Sequence, residues 1–288
     1  MNKLTTCTET RKIAVETLYI TLKNVLSNKN PVSEIDFRDR WLLELRKYKE
    51  VFPDGWYMPP PQGIGVLFGA DENTERLNYK SIRPPENWPQ KNVFLDKNKG
   101  LAYLFACPVD KKTGIIGDFG VTIYFGKNKR IINHLTTCYQ LTKEIFQYTH
   151  IGIRFADIAK YSSKLCKKKN LINVIESSTD PTGTNIGHSI PSTDGNWTKE
   201  EIEIFEKGSW EKICKLISNK RIFLNETQKT ILRKGMAITI EPRPRSIFDP
   251  TIPMVSFHTI GLFYENGKKE LLTNFDQIFK LVDMDYML

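Results

Sequence analysis

Cysteine is sparse and scattered. Cys7, Cys107, Cys138, Cys166 and Cys214 are odd in number and never form a CxxC pair. That excludes a disulfide scaffold and a structural zinc site, and it points to a reducing, cytoplasmic compartment. Long apolar runs are also missing. The longest, Gly100 to Val109, falls well short of the ~20 residues a membrane span needs and suits a buried strand. No membrane partner is expected. The first residues, MNKLTTCTETRK, hold no apolar core, so no signal peptide is expected. The chain has no repeat of fixed period and no low-complexity tract, which excludes a solenoid.

What is present is ordinary for a globular protein. The 288 residues are 40% hydrophobic and 26% charged, with a mean hydropathy of −0.38. This excludes a disordered, collagen-like or coiled-coil chain, and the length suffices for one large domain or two ordinary ones. The net charge is +9 and the pI about 9.1. A basic surface meets nucleic acid, an anionic membrane face or an acidic partner. Here the charge is spread out. Its longest run, Lys167 to Lys169, closes a predicted helix and reads as a solvated helix end favoured by the dipole.

Apolar spacing predicts a helix from Glu9 to Ser27 and a second from Ser33, with Asp36 completing a capping box. Residues 52–92 hold the Pro run 59–61 and read as turns and loops. LAYLFACPV and IIGDFGVTIYF, joined by KKTG, read as a hairpin. Helices follow over 133–148 and 153–168. Thr198 with Glu201 caps a further helix reaching about Ser218. MAITIEP, MVSFHTIGLFY and ELLT read as strands. Helices, hairpin, helices and strands in that order make an α+β fold with an antiparallel-rich sheet.

Four patterns carry candidate chemistry. Cys107 is followed by Asp118 across the hairpin. Gly187-His188-Ser189-Ile190 stands alone. Lys234 to Pro242 reads KGMAITIEP, ending on Glu241. His258 precedes the turn at Gly267 and the segment LLT. With GDFGVTIYFG, NPVSEIDF, THIGIRFADI and GLFYENGKKELLT, these resemble the creatinase and methionine aminopeptidase family, the M24 peptidases. Xaa-Pro aminopeptidases and dipeptidases look most similar. The resemblance implies a single pita-bread domain over 1–288, a curved antiparallel-rich sheet covered by helices. Residues 192–232 then read as a helical insertion, with Ile202, Phe205, Trp210, Ile213 and Leu216 on its apolar side.

The resemblance also implies a site of two Asp, one His and two Glu holding two divalent ions that activate water. Position by position, Asp118 matches the second Asp, His188 the His and Glu241 the first Glu. Cys107 stands at the first Asp and His258 at the last Glu. The family's second active-site His has no counterpart in 191–195, which reads PSTDG. A carboxylate bridges two ions, whereas a neutral imidazole offers one lone pair. Asp118, His188, Glu241 and His258 therefore suit a single Zn²⁺, Fe²⁺ or Mn²⁺, with Cys107 as a further thiolate ligand.

Three functions follow as expectations. The first is a metal-dependent amide hydrolase of the aminopeptidase type acting on a peptide or protein N-terminus, with Glu241 passing the proton and His188 beside the carbonyl. The second is a metal-free pseudo-peptidase that holds a peptide, protein or nucleic acid. The third is a 2-His-1-carboxylate iron enzyme. A homodimer is compatible with each. His134 and His150 read as surface or capping residues, and Cys138, Cys166 and Cys214 as small buried groups. Trp56-Tyr57-Met58 and the Pro run read as a substrate mouth or a packed loop.

Overall fold

A computed structural model describes residues 2–57, 63–174, 176, 177, 179, 180 and 182–288. The helices are α1 (Lys3–Ser27), α2 (Glu34–Leu45), α3 (Lys129–Tyr148), α4 (Phe155–Lys168), α5 (Lys199–Lys207), α6 (Trp210–Lys220) and α7 (Asp276–Leu281). The strands are β1 (Val51–Phe52), β2 (Ile64–Ala70), β3 (Gly100–Ala106), β4 (Val109–Asp110), β5 (Phe119–Tyr124), β6 (Leu171–Asn173), β7 (Ala237–Ile240), β8 (Pro244–Ser246), β9 (Phe257–Phe263) and β10 (Lys269–Leu272). The main sheet runs β10-β9-β5-β3-β2, with β7 also paired to β9, and every pair is antiparallel. This is the expected α+β architecture.

Burial explains the strands. All residues of β3, β5, β7 and β9 are buried, so these segments read as continuous apolar runs rather than as alternation. Strand β2 corrects the expectation of loops throughout 52–92. Ile64, Val66, Leu67 and Phe68 are buried against β3, with Ile64 opposite Ala106 and Ala70 opposite Gly100.

Both expected capping boxes form. Ser33 and Asp36 exchange hydrogen bonds at the start of α2, and Thr198 and Glu201 at the start of α5. The helix expected from Thr198 to Ser218 is two helices, broken at Gly208 and Ser209. A Cβ at Gly208 would lie 2.3 Å from the Ile204 carbonyl oxygen, so the chain turns where that carbonyl closes the helix. Helix α1 buries Thr10, Thr17 and Thr21. Each donates its hydroxyl to the carbonyl four residues back, which satisfies it inside an apolar layer.

Candidate functional site

The sheet itself assembles the polar cluster. Asp118 immediately precedes β5, Glu241 immediately follows β7, and His258 is the second residue of β9. Gly120 of β5 lies opposite His258, and Ile240 of β7 lies opposite Thr259. His188 comes from a loop laid along β7. Its amide donates to Thr239 Oγ1 at 2.8 Å, and its carbonyl accepts from the Thr239 amide at 2.7 Å. Gly187 makes that approach possible. Its φ is +147° and a Cβ there would lie 2.1 Å from the Thr239 carbonyl oxygen.

Four of the five expected ligands meet. His188 Nε2 lies 3.5 Å from Asp118 Oδ2 and 3.7 Å from Glu241 Oε1. His258 Nε2 lies 3.2 Å from Glu241 Oε2, and its ring stacks on Phe105 with centroids 5.5 Å apart. Trp56 Nε1 donates to Asp118 Oδ1 at 2.7 Å, and Thr239 Oγ1 donates to Glu241 Oε1 at 3.2 Å. His188 Nδ1 is 3.0 Å from the Ser189 carbonyl. A carbonyl only accepts, so Nδ1 carries the proton and the Nε2 lone pair faces the carboxylates.

Burial governs the charges. It pushes Asp118 up from 3.8 to about 8, against the lowering effect of Trp56, and it raises Glu241. It pulls His188 down to about 3 and His258 well below its ordinary value, so both rings are neutral. A proton on Asp118 would fill the otherwise donor-free gap to His188 Nε2.

Cys107 does not join the cluster. It lies just past β3, does not line the cavity, and its thiol faces the Gly63 carbonyl and the Tyr57 amide, each at 3.3 Å. Glycines at 55 and 63 create that niche. A Cβ on either would come within 3 Å of the Cys107 sulfur. Burial raises this thiol well above its ordinary value, so it favours the neutral form over the thiolate that a metal needs.

The cavity has walls that the sequence disclosed only at Trp56 and Tyr57. Trp56, Tyr57, Phe105, Phe223, Arg221 and Arg243 line it beside the four polar residues. Arg221, just beyond α6, lies over Trp56 and Phe223 at 4.6 and 4.7 Å from their centroids. Arg243 donates to the Tyr79 and Tyr103 hydroxyls at 2.8 and 3.2 Å. A cue stood in EPRPR, where Arg243 follows Glu241 by two residues, but an arginine in a Pro-flanked stretch reads as surface. Trp56 and Tyr57 fit the mouth reading. Met58 and the Pro run lie outside the described residues. His134, read as a surface residue, is buried in α3 beside Cys138.

Beneath the cluster lies Arg11 of α1, fully buried. Its guanidinium donates to the Asp118 carbonyl, to the His258 carbonyl at 2.9 Å and to the Thr273 carbonyl at 2.7 Å. Its Nε donates to Asn274 Oδ1 at 3.1 Å, and Phe119 and Phe275 pack on its faces.

The donors do not fit a two-ion centre. His258 has one lone pair to give where a bridging carboxylate is required, and Cys107 is turned onto backbone. Among the described residues, no group of three His, Cys, Asp or Glu is disposed to hold a metal ion.

Fold and cluster together define a pita-bread protein of the metallopeptidase type. The family model described as metallopeptidase family M24 matches residues 83–268, more than half of the chain, and the protein belongs to that family. Methionine aminopeptidase from Rickettsia prowazekii is similar, with a TM-score of 0.60 and 13% identity over 94% of this chain and 96% of that one. X-Pro aminopeptidase from Thermotoga maritima gives 0.59 and 10%, over 94% of this chain and 60% of that one. Methionine aminopeptidase from the same organism gives 0.55 and 15%, over 92% and 95%. The chain thus spans only about 60% of the X-Pro aminopeptidase. No curated protein sequence matches.

Proposed function

We propose that this M24 chain binds a peptide chain end in its cavity without the two-ion hydrolytic centre of the family. One observation carries the reading. His258, stacked on Phe105, faces Glu241 at 3.2 Å at the position where the resemblance places a bridging carboxylate. Neighbours hold the cluster: Trp56 on Asp118, Thr239 on Glu241 and Ser189 on His188. Segment 192–232, which we read as an insertion, contributes Arg221 to the wall. All five cysteines are buried and free, which supports a reducing, cytoplasmic setting. Among the described residues, no helix is long and apolar enough to cross a membrane. The net charge of +9 leaves nucleic acid as a further partner class, with salt-insensitive chromatography as the result against it.

A second reading has its own support. Asp118 Oδ2 and His258 Nε2 are buried without a hydrogen-bond partner. Unsatisfied donors of these types favour a single-ion amide hydrolase built on Asp118, His188, Glu241 and His258.

One experiment separates the two. Protein purified without added metal, and then loaded with Mn²⁺, Zn²⁺ or Fe²⁺, is analysed for metal and incubated with a peptide library varied at the N-terminus. The binding reading expects no stoichiometric metal and no cleavage beyond that of Glu241→Gln. One equivalent of metal, lost in His258→Ala, together with cleavage lost in Glu241→Gln, would overturn it in favour of the hydrolase.

A further inference from the structure

Two guanidiniums in the cavity wall have no carboxylate in direct contact, although Asp118 and Glu241 line the same cavity. Arg221 is 8% exposed and Arg243 is 7% exposed. Among the described residues, neither has a carboxylate oxygen within 4.0 Å, whereas Arg76 meets buried Glu34 at 2.7 Å. Arg221 makes one side-chain hydrogen bond, from Nη2 to Thr179 Oγ1 at 3.0 Å, and Arg243 bonds two phenols. The Nε of each is buried without a partner. A guanidinium keeps its proton at any pH a protein meets, and a buried charge is normally paired. Of the carboxylates in the same cavity, Asp118 accepts from Trp56 through Oδ1, Glu241 accepts from Thr239, and Glu176 pairs with Lys80 at 3.2 Å.

The aromatic surroundings suit anion capture. A guanidinium stacked on a ring keeps its in-plane N–H groups free, and their fork matches a carboxylate. Space decides the size of the occupant. The cavity offers about 40 Å³, against roughly 10–15 Å³ for one water on the same measure. A group of a few atoms fits and a peptide segment does not. An adjoining cleft of about 640 Å³ shares Ser81, Glu176 and Ser177 with the cavity and adds Arg83.

We infer that the cavity takes a carboxylate of a peptide, a chain terminus or an acidic side chain, on Arg221 and Arg243, with the rest of that peptide in the adjoining cleft. This rests on the peptide-binding reading and names the group that is recognised.

The test is calorimetric titration of the full chain with three N-acetylated tri-alanine peptides. One has a free C-terminal carboxylate, one a C-terminal amide, and one is an amide with Glu as its last residue. A carboxylate peptide is expected to bind at least about thirtyfold more tightly than the plain amide. Arg221→Gln and Arg243→Gln should each remove that preference. Whichever carboxylate peptide binds better names the source. Arg221→Lys keeps the charge and loses the fork, and should fall between. Thermal melts without peptide should show Arg221→Gln no lower than wild type, because it gives up one side-chain hydrogen bond and a buried charge with no carboxylate in contact. Equal binding of carboxylate and amide, or an Arg221→Gln variant that melts well below wild type, overturns the anion site and leaves peptide binding standing. Failure of all three peptides to bind overturns both, and cleavage overturns the reading of a non-hydrolytic pocket alone.

Discussion

Arg11→Met tests whether the site is held from below. In the native chain the Arg11 guanidinium donates to three carbonyls, those of Asp118, His258 and Thr273, and no carboxylate pairs with it. Methionine has a similar length and no donor. Each carbonyl that loses its donor in a buried site costs about 1–3 kcal/mol. Three of them give a loss of roughly 3–9 kcal/mol, reduced by the desolvation that a neutral side chain no longer incurs. A domain of ordinary stability, about 5–15 kcal/mol, survives the lower figure. Urea denaturation should show a lower midpoint at unchanged slope. The ring resonances of His258 should shift, because its backbone has been released, while those of exposed His150 stay in place. A loss under about 1 kcal/mol, or a gain, would refute the reasoning, since Arg11 would then cost as much to bury as its bonds return.

Other expectations follow from the same geometry. Folded Asp118 keeps its proton up to about pH 8, whereas the unfolded chain releases it near its ordinary 3.8. The native state thus binds the extra proton in that window, so stability falls as pH rises through it, and the full penalty is present above about 8. Asp118→Asn should remove this slope, and urea midpoints from about pH 5 to about pH 9 should show the variant's advantage growing with pH. His258→Glu restores a bridging carboxylate, and calorimetry with Mn²⁺ should detect ion binding that the parent lacks. An unchanged titration would contradict the ligand argument. Gly120→Ala places a Cβ 3.0 Å from His258 Cβ and 3.3 Å from the Tyr103 hydroxyl. Thermal or urea unfolding should register a loss of about 1–3 kcal/mol.

Much of the site was legible because its residues lie at strand ends whose apolar runs are easy to read. The strands were read from those runs, while the roles of Asp118, His188, Glu241 and His258 came from the family resemblance that GDFGVTIYF, KGMAITIEP and the neighbouring motifs carry. The orientation of Cys107 was not legible. It depends on Gly55 and Gly63, some fifty residues earlier in sequence, which leave room for its sulfur away from the cavity. The arginines were hidden for a different reason. Composition treats an arginine as surface, and only tertiary packing puts Arg11, Arg221 and Arg243 below a tenth exposed. Strand β2 was missed because Pro and Gly on both sides dominated the reading of 52–92. The break at Gly208 was hidden by an apolar spacing that continues across it.

Strand β9 is hydrogen-bonded to β7 along 259–262, to β10 along 260–263 and to β5 at 257 and 258. It cannot leave without opening the sheet. The floor of the pocket, with His258 on that strand and Asp118 and Glu241 at the ends of its neighbours, is therefore a fixed gauge. Its amides should exchange with solvent only on global unfolding. Trp56 and Arg221 come from a loop and a helix end, where opening is local. The rate at which a guest enters is then set by that one side, while the fit it meets inside does not change.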